Sequence, residues 1–337
     1  MSNFSNTFET AKTGGSGASN REDLTDVLTI LAPEETPILS SANKQKASAT
    51  FVEWTVDSLA APATAGIREG ADADFDVASS DKFASRARLG NYVQKFRRQY
   101  KVSDLQEAVD SVGPAKIAQA EAKSIRELKR DIEATLSSSE DRAAENGTDT
   151  AYALRGLGRW IGGTDADIPA AFRTPAGSQA DVTAAEGSFA ETELNSIITS
   201  IFGVTGSSNN LMLVADTALR NDISDFARIS GTADQNVRNV NYDGNSGQIK
   251  LSVDLYQSDH GVVSVVNANP DCAPTQAGIA GMSGYLVNPE YYGIHELIPM
   301  GSTRLPNDGG GEKGYVDCAL TLGVYHPGAH GKIVSAS

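Results

Sequence analysis

The chain has 337 residues, 40% of them hydrophobic, with 43 acidic against 28 basic side chains and a net charge of −15. It is long enough to bury a core without staples, and too acidic to seek polyphosphate with its whole surface. Two cysteines, Cys272 and Cys318, are too few for a disulfide framework and are expected as reduced, partly buried thiols. No charged-then-apolar leader opens the sequence and no apolar run nears the ~18 residues that span a bilayer, so a cytoplasmic product without a membrane anchor is expected.

Residues 1–48 have the composition of an arm. The stretch Thr13–Ser19 is small and polar, and Leu24, Val27, Leu28 and Leu31 then mark one short amphipathic helix that Pro33 and Pro37 end. Over 50–59, Val52, Trp54 and Val56 alternate with Glu53, Thr55 and Asp57, the period of a half-buried strand. Over 86–102, Tyr92, Phe96, Tyr100 and Val102 alternate with Lys95, Arg97 and Lys101. An acidic excursion with Glu69, Asp72, Asp74, Asp76 and Asp81 lies between, so 50–102 is expected as one long two-stranded hairpin with a polar tip. Two strands alone are marginal in water, and a neighbouring subunit is the natural support.

Residues 114–138 predict a spine helix. Pro114 suits its first position, and Ile117, Ile125, Leu128, Ile132 and Leu136 make a stripe widened by Ala118 and Ala122. Lys123–Glu127 and Lys129–Glu133 are spaced as ion pairs on its wet side. The loop-rich stretch 139–190 contains one candidate strand, Leu157–Ile161. An α/β region follows: a helix Glu191–Phe202, a buried strand Leu211–Val214, a helix capped by Asp216 that runs to Ala227, and a polar loop over 230–248. Strands are expected at Ile249–Leu255, Gly261–Val266, Tyr285–Val287, Tyr291–Ile298 and Tyr315–Tyr325, the last two divided by the turn Asn307–Gly314. There is no internal repeat, and 190–290 fits a second domain inserted into the first.

Motifs for chemistry fail on inspection. His326 and His330 are four apart, but Pro327 and Gly328 lie between them, so a surface turn is preferred to a metal site. Asp72-x-Asp74-x-Asp76 opens like a calcium loop, yet Val77 and Phe83 stand where Gly and Glu are needed. Gly309-x-Gly311-x-x-Gly314 precedes a strand, where a dinucleotide fingerprint must follow one. No catalytic residue, cofactor or metal ligand is nominated. The cluster Arg86, Arg88, Lys95, Arg97, Arg98 and Lys101 is more informative. Pairing with acids, within or between subunits, is preferred for it over contact with nucleic acid.

The order of parts resembles the Hong Kong 97-type major capsid (head) protein of tailed bacteriophages, an α+β fold. The likeness is carried by Thr36-Pro37-Ile38-Leu39-Ser40, by the run from Glu53 to Ala60, by the run from Arg155 to Ile161, and by the ending Leu322 to Ala329. It implies an N-terminal arm over 1–48, an E-loop hairpin and flanks over 49–102, and a P domain over 103–189 with the spine helix 114–138. An A domain over 190–290 and returning P-domain strands over 291–337 complete it. It also implies self-assembly into pentamers and hexamers that close an icosahedral shell around double-stranded DNA bound without sequence specificity. Portal, scaffolding or decoration proteins are expected partners, and the virion, with the host cytoplasm during assembly, the expected location. Trp54, Glu69, Asp72, Asp74, Asp76, Arg86, Arg88, Lys95, Arg97 and Arg98 are the candidate intersubunit contacts. Lys82 is the one candidate for a covalent cross-link of the kind some relatives form. An encapsulin-type nanocompartment shell and a soluble α/β enzyme are the alternatives.

Overall fold

The computed structural model describes residues 35–62, 64–72, 85–109, 116–163, 165–182, 189–206, 208–226, 228–230, 236–238, 241–242, 249–250, 254–272 and 283–335. The expected arm helix, Asp74, Asp76, Asp81, Lys82 and Pro114 lie outside these.

A short helix α1 (Pro37–Ser41) leads into strand β1 (Asn43–Lys46). Strand β2 (Phe51–Val56) pairs antiparallel with β3 (Ala87–Tyr92), with Trp54 opposite Leu89 and Glu53 opposite Gly90. A Cβ at Gly90 would sit 2.7 Å from the Phe51 ring, so the ring lies on bare backbone there. The chain passes through Val93 into β4 (Gln94–Val102), which leaves the hairpin and pairs along its whole length with a distant strand. The single long hairpin over 50–102 is therefore corrected: its second half belongs to a different sheet. The alternation that suggested one strand is real, with Phe96 and Tyr100 buried, but the partner changes at Val93.

After α2 (Asp104–Ala108) comes the spine helix α3 (Lys116–Ser137), 22 residues or roughly 33 Å long. Leu128, Ile132 and Leu136 are fully buried beneath it. Ala118 and Ala122 do not widen the stripe, because both are exposed; Ser124 is buried instead. Glu133 is also not on the wet side. It is buried and accepts the backbone N–H groups of Ile38 and Leu39, each at 2.9 Å, so it ties α1 to the spine. The Lys123–Glu127 pair forms at 3.8 Å.

Leu157–Trp160 is a one-turn helix, α4, where a strand was expected; Leu157, Trp160 and Ile161 are buried as a compact knot. Two 3-10 turns, Ala170–Phe172 and Ala176–Ser178, lead to strand β5 (Gln179–Val182). Helix α5 (Glu191–Thr205) begins with the Glu193 carboxylate accepting the Ala190 N–H at 2.9 Å and ends at Gly206, whose φ of 69° closes the last turn. Strand β6 (Ser208–Ala215) and helix α6 (Thr217–Asp225) follow. Asp216 occupies the N-cap position, but its side chain makes no capping bond.

Strand β7 (Arg228–Ser230) pairs with β8 (Asn236–Arg238) and β9 (Asn241–Tyr242) with β10 (Ile249–Lys250), so the stretch 230–248 expected as loop contains β8 and β9, while β10 opens the strand expected from Ile249. Then come β11 (Leu255–Ser258), β12 (Gly261–Asn267), β13 (Ser283–Val287), β14 (Tyr292–Leu305), β15 (Glu312–Val324) and β16 (Gly331–Ser335).

Two sheets organise the molecule. One has the order β1-β14-β15-β4 and carries α3 on its face. The other has the order β11-β12-β6-β13-β16-β5. Period-2 alternation along β6 explains how they share a core. Leu211, Leu213 and Ala215 face a core with Ile197, Ile201, Leu219 and Val263, while Met212 and Val214 face the core under α3. A strand buried on both faces reads as an unbroken apolar run, which is why Leu211–Val214 stood out. The Tyr285 hydroxyl donates to the Ser137 carbonyl at 2.8 Å, joining β13 to the end of the spine. The turn at 326–330 is not on the surface. His330 is fully buried and its Nδ1 accepts the Asn288 N–H at 3.2 Å.

Candidate assembly surfaces

The root of the β2–β3 hairpin is fixed by aromatic and ionic contacts within the chain. Trp54 stacks on His295 with ring centroids 6.4 Å apart and planes 7° from parallel, and meets Trp160 at 5.6 Å and Tyr325 at 6.1 Å. Burial holds the His295 ring below its ordinary pKa, so it stays the neutral partner in this cluster. Behind it lies an ionic knot. Arg155, with no exposed surface, contacts Asp141 at 2.6 Å, Asp167 at 2.8 Å and Asp165 at 3.3 Å, and its guanidinium lies 5.1 Å from the Trp160 ring. Arg159 adds a 3.0 Å contact to Asp165, and Arg142 bridges Asp167 to the Gly90 carbonyl. Burial pushes the Asp141 carboxyl up, but hydrogen bonds from Arg155 and the Arg142 N–H outweigh it and leave the pKa below the usual value. Asn91 completes the anchor, accepting the Arg155 N–H at 2.8 Å and donating to Leu322 at 2.8 Å.

Most of the predicted basic cluster is spent inside the chain. Arg98 forms a two-pronged contact to Asp131 on α3, 2.6 Å at each prong, which holds its pKa above the ordinary arginine value. Lys95 and Arg97 share Asp317 on β15 at 3.1 and 3.4 Å, and Arg97 also lies 4.6 Å over the Tyr315 ring. Arg97 and Arg98, adjacent in sequence, thus work on opposite faces of β4. Arg86 pairs with Asp57 at 3.0 Å across the hairpin. Trp54 is half-buried in the aromatic cluster. Among the described residues Arg88, Glu69 and Asp72 are exposed with no charged partner, and Asp74 and Asp76 lie outside them.

Beyond the root, every described residue from Asp57 to Asp72 is exposed, including Leu59 at 99% and Ile67 at 89%. Leu105 and Val109 at α2 form a second exposed apolar site. Sequence reasoning found the hairpin but missed Leu59 and Ile67; large aliphatics inside a polar excursion were the available signal. Among the described residues no group of His, Cys, Asp and Glu is placed to hold a metal ion, and no helix is long and apolar enough to cross a membrane.

A root locked to its own subunit, a hairpin extension whose described residues are exposed, a spine helix and two sheets sharing a core define a shell-forming capsid protein of the Hong Kong 97-type α+β fold. The chain is similar over 97% of its length, with a TM-score of 0.63 and 11% identity, to the capsid protein of cyanophage P-SCSP1u, of which 96% is covered. It is similar to a protein of Mycobacterium phage Bobi with a TM-score of 0.61, 11% identity and coverage of 97% and 100% of the two chains. It also resembles the capsid of an empty GTA particle, at 0.57 and 14% identity over 97% and 99%. No curated protein matches the sequence. The family model for the SU10 major capsid protein matches residues 1–337, and the chain belongs to that family. It is a structural protein of the head shell of a tailed bacteriophage, and its place is the virion.

Proposed function

We propose that the subunit assembles into pentamers and hexamers, and that its exposed hairpin extension docks on a neighbouring subunit to bind these capsomers into a closed shell. The observation that carries this is the exposure of every described residue from Asp57 to Asp72, Leu59 and Ile67 among them. Each such side chain gains roughly 1.5–3 kcal/mol when covered, and a repeated contact multiplies that around the shell. Arg88, Glu69 and Asp72, without a charged partner among the described residues, set the register of docking. In this reading β2–β3 and the residues between them are the E-loop, the sheet with α3 is the P domain, and the sheet with α5 and α6 is the A domain. The shell encloses double-stranded DNA without reading its sequence. Portal and scaffolding or decoration proteins join during assembly in the host cytoplasm, and the subunit works without catalysis.

The test is a Leu59→Asp, Ile67→Asp double variant, examined by electron microscopy for shells and by circular dichroism for the fold. The expected result is a folded subunit that forms no closed shells. Normal shells from this variant would overturn the docking role of the extension.

A further inference from the structure

Residues 146–150 form a turn whose geometry the shell function does not require. Its base is held by the antiparallel bridge between Ala143 and Ala153, and the Asn146 N–H donates to the Thr150 carbonyl at 3.2 Å. Inside the turn the Asn146 side-chain oxygen accepts three successive backbone N–H groups: Thr148 at 3.0 Å, Asp149 at 3.0 Å and Thr150 at 2.9 Å. Backbone donors identify that atom as Oδ1, which leaves Nδ2 pointing elsewhere. Among the described residues neither Nδ2 nor the Gly147 N–H has a hydrogen-bond partner. Gly147 has a φ of +74° and open space where a Cβ would be, and the whole turn is exposed. This is the one Asn-Gly step in the chain.

We infer that Asn146 is a self-modification site, at which the folded turn promotes deamidation of Asn146 by the amide nitrogen of Gly147. The Gly147 nitrogen gives its proton to hydroxide and attacks Asn146 Cγ, forming a C–N bond. The electron pair of the carbonyl moves onto Oδ1. Three preorganised N–H donors already surround that oxygen, the arrangement that stabilises a developing oxyanion. Collapse breaks the Cγ–Nδ2 bond, and the nitrogen takes a proton from water and leaves as ammonia. It is the unbonded atom of the amide, so nothing holds it back. Water then opens the five-membered imide. Opening at Cγ leaves an ordinary aspartate at position 146, whose carboxylate keeps the same three donors with charge assistance. Opening at the backbone carbonyl leaves the isoaspartyl linkage. Either product adds one negative charge to each subunit.

The folded full-length protein is incubated at mildly alkaline pH beside the same protein unfolded in guanidinium chloride. The tryptic peptide covering 143–155 is then quantified by mass spectrometry for exchange of the amide for an acid. In low-dielectric sites one oxyanion donor is worth about 100-fold or more in rate, and in this exposed turn the three together are expected to give about tenfold faster conversion in the folded chain. Conversion in the folded chain equal to or slower than in the unfolded chain would overturn the inference, because the turn would then be protecting Asn146.

Discussion

Arg155→Met tests whether the ionic knot is what fixes the hairpin root. Methionine fills most of the same volume without the charge, so packing against Trp160 is largely kept. Asp141 and Asp167 are about half-exposed, and water screens their loss of a partner. Asp165 is different: its side chain is 6% exposed and keeps, beside the Asp167 N–H at 3.0 Å, one cation among the described residues, Arg159 at 3.0 Å. Breaking one side of a buried pair costs 3–5 kcal/mol, and with Arg159 remaining the lower end applies, about 3 kcal/mol. Urea unfolding of the unassembled subunit, followed by tryptophan fluorescence, reads this directly because Trp54 and Trp160 adjoin the knot. Adding Asp165→Asn to the variant removes the stranded charge and is expected to restore roughly 1 kcal/mol or more. A loss below about 1 kcal/mol in Arg155→Met, with no recovery from Asp165→Asn, would refute the argument that charge rather than shape anchors the root.

Three further outcomes are expected. Burial pushes the His330 pKa down to about 4, so the unfolded chain binds the extra proton below its own value of 6.5. The associated stability is complete above pH 6.5 and falls by about 3 kcal/mol as the pH drops to about 4; His330→Asn, which keeps an acceptor for Asn288, flattens that slope in acid titrations. Glu133→Gln replaces one acceptor with a donor facing a backbone N–H, and costs about 1–3 kcal/mol with selective loss of hydrogen-exchange protection at Ile38 and Leu39. Cys272 and Cys318 are buried free thiols, the latter with its pKa pushed up to about 12 by burial, so a thiol reagent labels neither at neutral pH until the chain unfolds.

The elements legible in the sequence were those whose own periodicity faces a core. Val52, Trp54 and Val56 marked β2, and Leu128, Ile132 and Leu136 marked α3, because each set repeats at the spacing of its element. Where a side chain answers to a distant partner, local pattern misled. Glu133 is spaced for Lys129 on its own helix, yet it turns to α1, 94 and 95 residues away in sequence. Phe96 and Tyr100 continue the alternation begun at Tyr92, and nothing in that period records that the neighbouring strand changes at Val93. Leu157–Ile161 is an apolar run too short to separate strand from helix by period. Arg155, flanked by Leu154 and Gly156, carries no local sign that it gathers three aspartates. The candidate docking residues were legible as charge, but their division into paired and unpaired required the fold: Arg97 and Arg98 look equivalent in sequence and face opposite ways.

The junction at Val93 has a mechanical consequence. Strand β3 runs directly into β4 with one buried residue between them, whose N–H is itself bonded to Thr50 at 2.8 Å. Tension on the hairpin, such as internal pressure would exert on a filled container, therefore reaches the body of the subunit along the axis of β4. That axis is lined by an antiparallel ladder reaching from Gln94 to Val102, and a pull along it stresses the rungs together, in shear, where a sideways pull would unzip them one after another.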